Sequence, residues 1–338
     1  MNPLDLLEPR LRAGTAAHLM QVEQRLRAVT GSTDPLAERS GRHLLDAGGK
    51  RFRPLLTLLV ADALGRDGDD RRVAAACAVE LLHLSTLYHD DVIDGAATRR
   101  GVSSANARWG ERLAVFAGDR LTALAMAASA DAGDEVPALI ARTYRRLVEG
   151  ERREADLVGR TDGGITGYLD VVDGKTASLV AAAARGGAAV TGAAGPVRDG
   201  IEAWGRTVGV AFQVADDLLD LTATPASAGK PVGRDLAVGV YTWPILAAIG
   251  TPSGPRLRTV LQGPPPLTRR AVEEAMEIVH ACGAVARAGR LVEHLLDRAD
   301  GHLTVLPPGP ARDGLRALAR TLVPPAVAVH RLPEAASV

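Results

Sequence analysis

Residues 79–94 read VELLHLSTLYHDDVID. An apolar run with helical spacing ends in three carboxylates. Asp90 and Asp94 stand four residues apart, so they lie one above the other on one helix face, with Asp91 beside them. His83 falls on the same stripe, roughly 10 Å back along the axis at 1.5 Å per residue. Like charges at this spacing repel, and acids at a helix C-terminus oppose the macrodipole. One such cluster is compatible with an idle, solvated helix end. The pattern recurs in residues 212–221, FQVADDLLDL, where Asp216, Asp217 and Asp220 repeat D-D-x-x-D at the end of a second apolar helix. Two copies of a costly arrangement point to a ligand that needs it.

Working outward, apolar residues three and four apart recur along nearly the whole chain. The pattern predicts helices near 3–29, 34–47, 53–64, 70–94, 110–132, 135–158, 164–173, 175–189, 197–221, 241–250, 267–282, 284–302 and 308–321. Gly, Pro, Asp and Thr clusters predict loops at 65–69, 95–103, 222–240 and 263–266. No alternating strand pattern stands out. With no obvious linker, the expectation is one all-α domain over 1–338, its core about 35–325 and its ends loose.

Composition removes several classes of function. Net charge is zero, so nothing predicts a general attraction to nucleic acid or to an anionic membrane. Cys77 and Cys282 are too few for a disulfide framework and fit a reducing cytoplasm. No signal peptide is expected from the N-terminal residues, and no membrane span is expected: Arg185 interrupts the Ala-rich run 176–190.

Clustered Asp side chains suit a hard divalent cation. Mg²⁺ takes one or two carboxylates, keeps waters, and completes its shell with phosphate oxygens. No Cys/His spacing predicts zinc, and the clustered acids are all Asp, unlike the Glu-based sets of the di-iron type. Cations follow each cluster: Arg99 and Arg100 after the first, Lys230 and Arg234 after the second. Of 40 Lys plus Arg only Lys50, Lys175 and Lys230 are lysines, and each follows a glycine. A compact ammonium suits a crowded anion site where a planar guanidinium does not. No G-x-x-x-x-G-K-[ST] occurs, which disfavours a nucleotide P-loop.

GGKRFRP (48–54), HDDVIDGAATRRG (89–101), GKTASL (174–179) and FQVADDLLDL followed by GKPVGRDL (229–236) together resemble the all-trans polyprenyl diphosphate synthases, in order and in approximate spacing, over about 35–325. ELLHLSTLYHDDVID with RRGVSSANARWG is most similar to actinobacterial long-chain members. The resemblance implies an isoprenoid synthase fold, with helices around a central cavity. It implies condensation of an allylic prenyl diphosphate with isopentenyl diphosphate, assisted by three Mg²⁺ ions. By this resemblance Asp90, Asp94 and Asp216 hold the metals, and Asp91, Asp217 and Asp220 support them directly or through waters. Arg99, Lys175 and Lys230 grip the allylic diphosphate. Lys50, Arg53, His83 and Arg100 bind isopentenyl diphosphate, and Thr176 and Gln213 sit near the developing allylic cation. The departed diphosphate serves as base, so Tyr88 and His89 are expected to pack or support.

The chain departs from the family pattern at three places. Val240 follows Gly239 where a Lys is common, Glu154 replaces an amide, and Arg120 stands where an aromatic is frequent. A class I terpene cyclase is the nearest rival, but it has no use for Lys50 and Arg53 and its second metal motif differs. A regulatory subunit of a heteromeric synthase is disfavoured by the intact clusters. A homodimer through the apolar helix 110–132 is expected. Ser85 and Thr86, one turn below Asp90, are small, with Leu82 and Val79 deeper, which predicts a product of C20 or longer.

Overall fold

A computed structural model describes residues 3–65, 70–222 and 232–322. In chain order its helices are α1 (Pro9–Val29), α2 (Pro35–Asp46), α3 (Phe52–Ala63), α4 (Asp70–Ile93), α5 (Ala105–Trp109), α6 (Glu111–Ala130), α7 (Glu135–Leu157), α8 (Gly164–Val172), α9 (Ser178–Ala189), α10 (Gly195–Thr222), α11 (Arg234–Ala237), α12 (Trp243–Ile249), α13 (Gly254–Val260), α14 (Arg269–Ala281), α15 (Ala284–His302) and α16 (Pro310–Thr321). Short 3₁₀ turns occupy Pro3–Leu6 and Leu303–Val305. The described residues are all-α apart from one small hairpin, and they fall into two compact units.

The first unit draws on Met1–Leu147, Leu179–Gly205 and His302–Leu318. Its centre is α4, which is buried on every side from Arg72 to Leu82. A helix that is apolar all round belongs inside a domain. α1, α3 and α6 pack on it. α3 contributes Leu55, Leu56, Leu58 and Leu59, and α6 contributes Ala114, Ala117, Leu121 and Ala125. Arg120, unexplained by sequence, reaches from α6 to the end of α1, where it donates to the carbonyls of Thr30 (3.2 Å) and Gly31 (2.8 Å). Those carbonyls follow the last turn of α1, where helix partners run out.

The second unit draws on Val148–Ser178, Arg206–Gly301 and Ala319–Val338. α12, α14 and α15 bury Ile245, Ala275, Val279, Ala288 and Val292. Between α8 and α9 the chain does not break at Gly174 as expected; it continues through a π-helical turn, Asp173–Ala177. This turn lies hard against α7. A Cβ on Gly150 would stand 2.5 Å from the Lys175 nitrogen, so only glycine fits there.

Other expectations are corrected. The helix near 3–29 is interrupted before Pro9: the Glu8 carboxylate caps α1 by accepting from the Arg10 and Leu11 nitrogens (3.1 and 3.2 Å). Proline at the first helical position fixes that start. The loop 95–103 holds a hairpin, with β1 (Thr98–Arg99) antiparallel to β2 (Val102–Ser103). Arg100 (φ 53°) and Gly101 (φ 79°) form its turn, both in the left-handed region that two-residue hairpins favour. The helices α5, α11 and α13 are short and fall where loops or no element were expected. Finally, α6 is long and apolar enough to cross a membrane by length and composition alone. It carries Asp119 and Arg120 at its middle and lays its buried side on α4, as a core helix does.

Candidate active site

In the first unit, the all-round burial of α4 delivers its last turn to the surface. Asp94 is exposed, Asp90 partly so, and Asp91 fully buried. Arg99, on the hairpin, donates from Nε (2.8 Å) and Nη2 (2.6 Å) to Asp91 Oδ1. Asp91 Oδ2 is buried with no hydrogen-bond partner. Burial pushes the Asp91 carboxyl up against the opposing pull of Arg99. The middle acid of the first cluster therefore anchors the hairpin to the helix end.

The loop before α3 is conformationally demanding: Gly48 has φ 88°, Gly49 φ 151° and Arg51 φ 46°. A Cβ on Gly49 would lie 3.0–3.1 Å from the guanidiniums of Arg100 and Arg51. Arg51, given no role from sequence, ties the loop down. It pairs with Glu23 and with buried Glu80 (3.0 Å), and donates to the Leu45 carbonyl (3.0 Å). Arg100 donates to the carbonyls of Leu44 (2.8 Å) and Gly48. Lys50 is exposed at the loop's tip.

Beside this loop the cations outnumber their partners. Arg53 and Arg100 have no carboxylate within ion-pair distance among the described residues, and Arg53 Nε is buried without a hydrogen-bond partner. Burial and then Arg100 depress the Arg53 pKa, against Glu80. His83 is held well below the usual imidazole value by burial and by Arg53, Arg100, Arg51 and Arg99. A neutral imidazole among guanidiniums is the signature of a site short of an anion. Thus Arg53, His83, Arg99 and Arg100 are brought together, with Lys50 on the adjoining loop. Tyr88 OH donates to the Ser40 carbonyl inside the core, and His89 pairs with Asp119 (3.2 Å).

In the second unit, the π turn presents Lys175 and Thr176 to α10. Thr176 Oγ1 donates to Gln213 Oε1 (2.8 Å), and Gln213 Nε2 donates to Asp217 Oδ1 (2.9 Å). Tyr168 OH, missed from sequence, donates to Asp217 Oδ2 (2.5 Å). Burial pushes Asp217 up to about 7 despite these two donors. Asp220 accepts from the backbone nitrogens of Arg234 and Asp235 (both 3.2 Å), so the last acid of the second cluster holds the start of α11. This places Asp235, also unassigned from sequence, close to the cluster. Burial, then Asp220, Asp216 and Glu154, push it up to about 6. Lys175 Nζ is clasped by Glu151 (2.9 Å) and Glu154. Lys230 lies outside the described residues.

The second cluster suits a hard cation: after burial, Asp220, Asp216 and Glu154 all push the Asp235 carboxyl up. Among the described residues no three His, Cys, Asp or Glu side chains are grouped to hold a metal on their own.

Known proteins with this pattern agree across nearly the whole chain. The family model described as Polyprenyl synthetase matches residues 34–279. The Nonaprenyl diphosphate synthase of Mycobacterium tuberculosis is 40% identical over 319 residues, 93% of this chain and 94% of the relative. The crystal structure of a decaprenyl diphosphate synthase from Rhodobacter capsulatus matches with a TM-score of 0.87 at 31% identity, over 93% of this chain and 98% of that one. A polyprenyl synthase from Caulobacter crescentus CB15, complexed with calcium and isoprenyl diphosphate, matches with a TM-score of 0.85 at 32% identity, over 95% and 97%. Ordered motifs, helical architecture and likeness in sequence and structure converge: this chain belongs to the polyprenyl synthetase family and is a prenyl-transferring enzyme.

Proposed function

We propose that the chain condenses an allylic prenyl diphosphate with isopentenyl diphosphate, in trans geometry, to a polyprenyl diphosphate of C20 or longer. The observation that carries this reading is the pair of guanidiniums without carboxylate partners, Arg53 and Arg100, beside neutral His83. A diphosphate is the anion that such a set lacks. Lys50 adds a point charge at the loop tip, and Arg51 fixes the loop that carries it.

Asp90, Asp94 and Asp216 would hold Mg²⁺, three ions by family resemblance. Bound Mg²⁺ would supply Lewis-acid stabilisation of charge on the leaving diphosphate. Arg99, Lys175 and Lys230 grip the allylic diphosphate. The Thr176 hydroxyl spends its proton on Gln213, which leaves its lone pairs for an electron-poor allylic carbon. Asp217 orients Gln213, and Asp91 and Asp220 hold the hairpin and α11 in place. The departing diphosphate takes the proton released after condensation, so no protein base is invoked.

Ser85 and Thr122 share a hydrogen bond of 2.6 Å between α4 and α6. Small side chains at this level, with Leu82 and Val79 deeper, leave room for a long tail. Long-chain relatives, nonaprenyl and decaprenyl synthases, support the same choice. A single catalytic domain over about 35–325, a cytoplasmic location and a homodimer through α6 complete the proposal. Phe116 (55% exposed) and Met126 (44%) supply the apolar surface for that contact. Nothing in the family match supports a cyclase or a regulatory subunit. The test is incubation with isopentenyl diphosphate and several allylic primers, with and without Mg²⁺, followed by mass spectrometry of the dephosphorylated products. A chain elongated to C20 or beyond, only with metal, is expected. Cyclised products, or none with any primer, would overturn the reading.

A further inference from the structure

Lys175 is not waiting empty-handed. Its ammonium is held by Glu151 at 2.9 Å and by Glu154, and all three side chains are mostly buried, with 27%, 19% and 27% of their surfaces exposed. Pairs at this depth are screened less than surface pairs. The clasp is built into the fold. Gly150 lets α7 touch the π turn at the Lys175 backbone itself, so Glu151 beside it and Glu154 one turn on both reach the ammonium. Glu154 also acts on Asp235, which places its charge beside the second Asp cluster. An amide at 154 would keep a hydrogen bond to Lys175 without adding negative charge there.

We propose that Glu154 is a positioning residue that holds Lys175 in the ligand-free enzyme and competes with diphosphate for it, thereby lowering the affinity of this site for the diphosphate group. The proposal rests on the reading of Lys175 as a diphosphate grip. Binding transfers the ammonium from carboxylate to phosphate oxygens.

The experiment is calorimetric titration of the full chain with inorganic pyrophosphate in Mg²⁺. It compares wild type, Glu154→Gln, Lys175→Met and the double variant, with thermal melts to confirm folding and Glu151→Gln as a second probe of the clasp. Glu154→Gln is expected to bind pyrophosphate about tenfold more tightly, and to lower the KM of the allylic substrate more than it changes kcat. The gain should shrink to less than about threefold in the Lys175→Met background, because the competed-for ammonium is gone. Unchanged or weaker binding by Glu154→Gln, with Lys175→Met weakened, overturns this inference alone. An equal gain in both backgrounds overturns it too, since direct repulsion would then suffice. Unchanged binding by Lys175→Met overturns the grip assignment and this inference with it.

Discussion

The Arg99 guanidinium lies 2.6 Å from the carboxylate of Asp91, the one acid of the first cluster that no solvent reaches. The three acids of that cluster therefore divide their labour. Asp91→Ala strands Arg99 and should cost about 2 kcal/mol of stability, discounted because Arg99 is partly solvated. Asp94→Ala, at an exposed helix end, should stay within about 0.5 kcal/mol of wild type. Asp90→Ala and Asp216→Ala should nevertheless lower turnover at least about a hundredfold. Urea denaturation alongside product assays checks both; near-wild-type turnover in Asp90→Ala or Asp216→Ala would remove the metal assignment.

Lys50→Ala and Arg53→Ala should raise the KM for isopentenyl diphosphate by about tenfold to a hundredfold, with less change for the allylic substrate. Lys50→Arg should also be harmful, because a planar fork does not reproduce a point contact. Initial rates with each substrate varied in turn decide this. Equal effects on both KM values would contradict the division between the two diphosphates.

His83 gives a signed pH dependence. Its imidazole stays neutral in the fold to well below the unfolded value of about 6.5. As pH falls below that value the unfolded chain takes up a proton that the folded chain refuses, so stability falls. The contribution approaches about 1.4 kcal/mol per pH unit below pH 6.5, until the depressed folded pKa is reached. His83→Gln should flatten this part of the profile. Denaturation series at pH 5 to 7.5 for both proteins would show parallel curves if the assignment is wrong.

Phe116→Glu combined with Met126→Glu should turn a dimer into monomers, since both side chains stand exposed on α6. Light scattering at micromolar concentration reads the outcome. A wild-type protein that is already monomeric there would end the proposal.

Placing Phe at Ser85 or Thr86 should shorten the product, because a bulky ring would replace a small side chain at the level of the Ser85–Thr122 bond. Mass spectrometry of the products checks it. Unchanged length in both variants, or a wild type that stops at C10 or C15, would refute this view of the pocket.

The helical skeleton was legible because its signals are local. Pro35 and the Asp34 cap mark the start of α2, and the apolar run 73–79 of α4 announces a core helix. What escaped depends on contacts distant in sequence. Gly174 looks like a break, yet the chain stays helical there as a π turn against Gly150. Two-residue strands are too short to show alternation, so the hairpin passed for a loop. The Asp-rich motifs were visible as candidate ligands, but not that Asp91 would be spent on Arg99 or Asp220 on the start of α11. Tyr168 and Asp235 carry no motif of their own; only the folded chain puts them beside the second cluster.

The reach of Arg120 to the Thr30 and Gly31 carbonyls has a practical side. A helix exchange that imports α6 from a relative with a phenylalanine at this position would bring no donor for either oxygen. It would also bring a ring to Gly41, where even a methyl would crowd the guanidinium at 2.9 Å. Such a hybrid would lose stability for reasons unrelated to tail length or subunit contact, and its altered products would be misread as a pocket effect. Residue 120 and the segment from 30 to 41 form one exchangeable cassette and should be moved together.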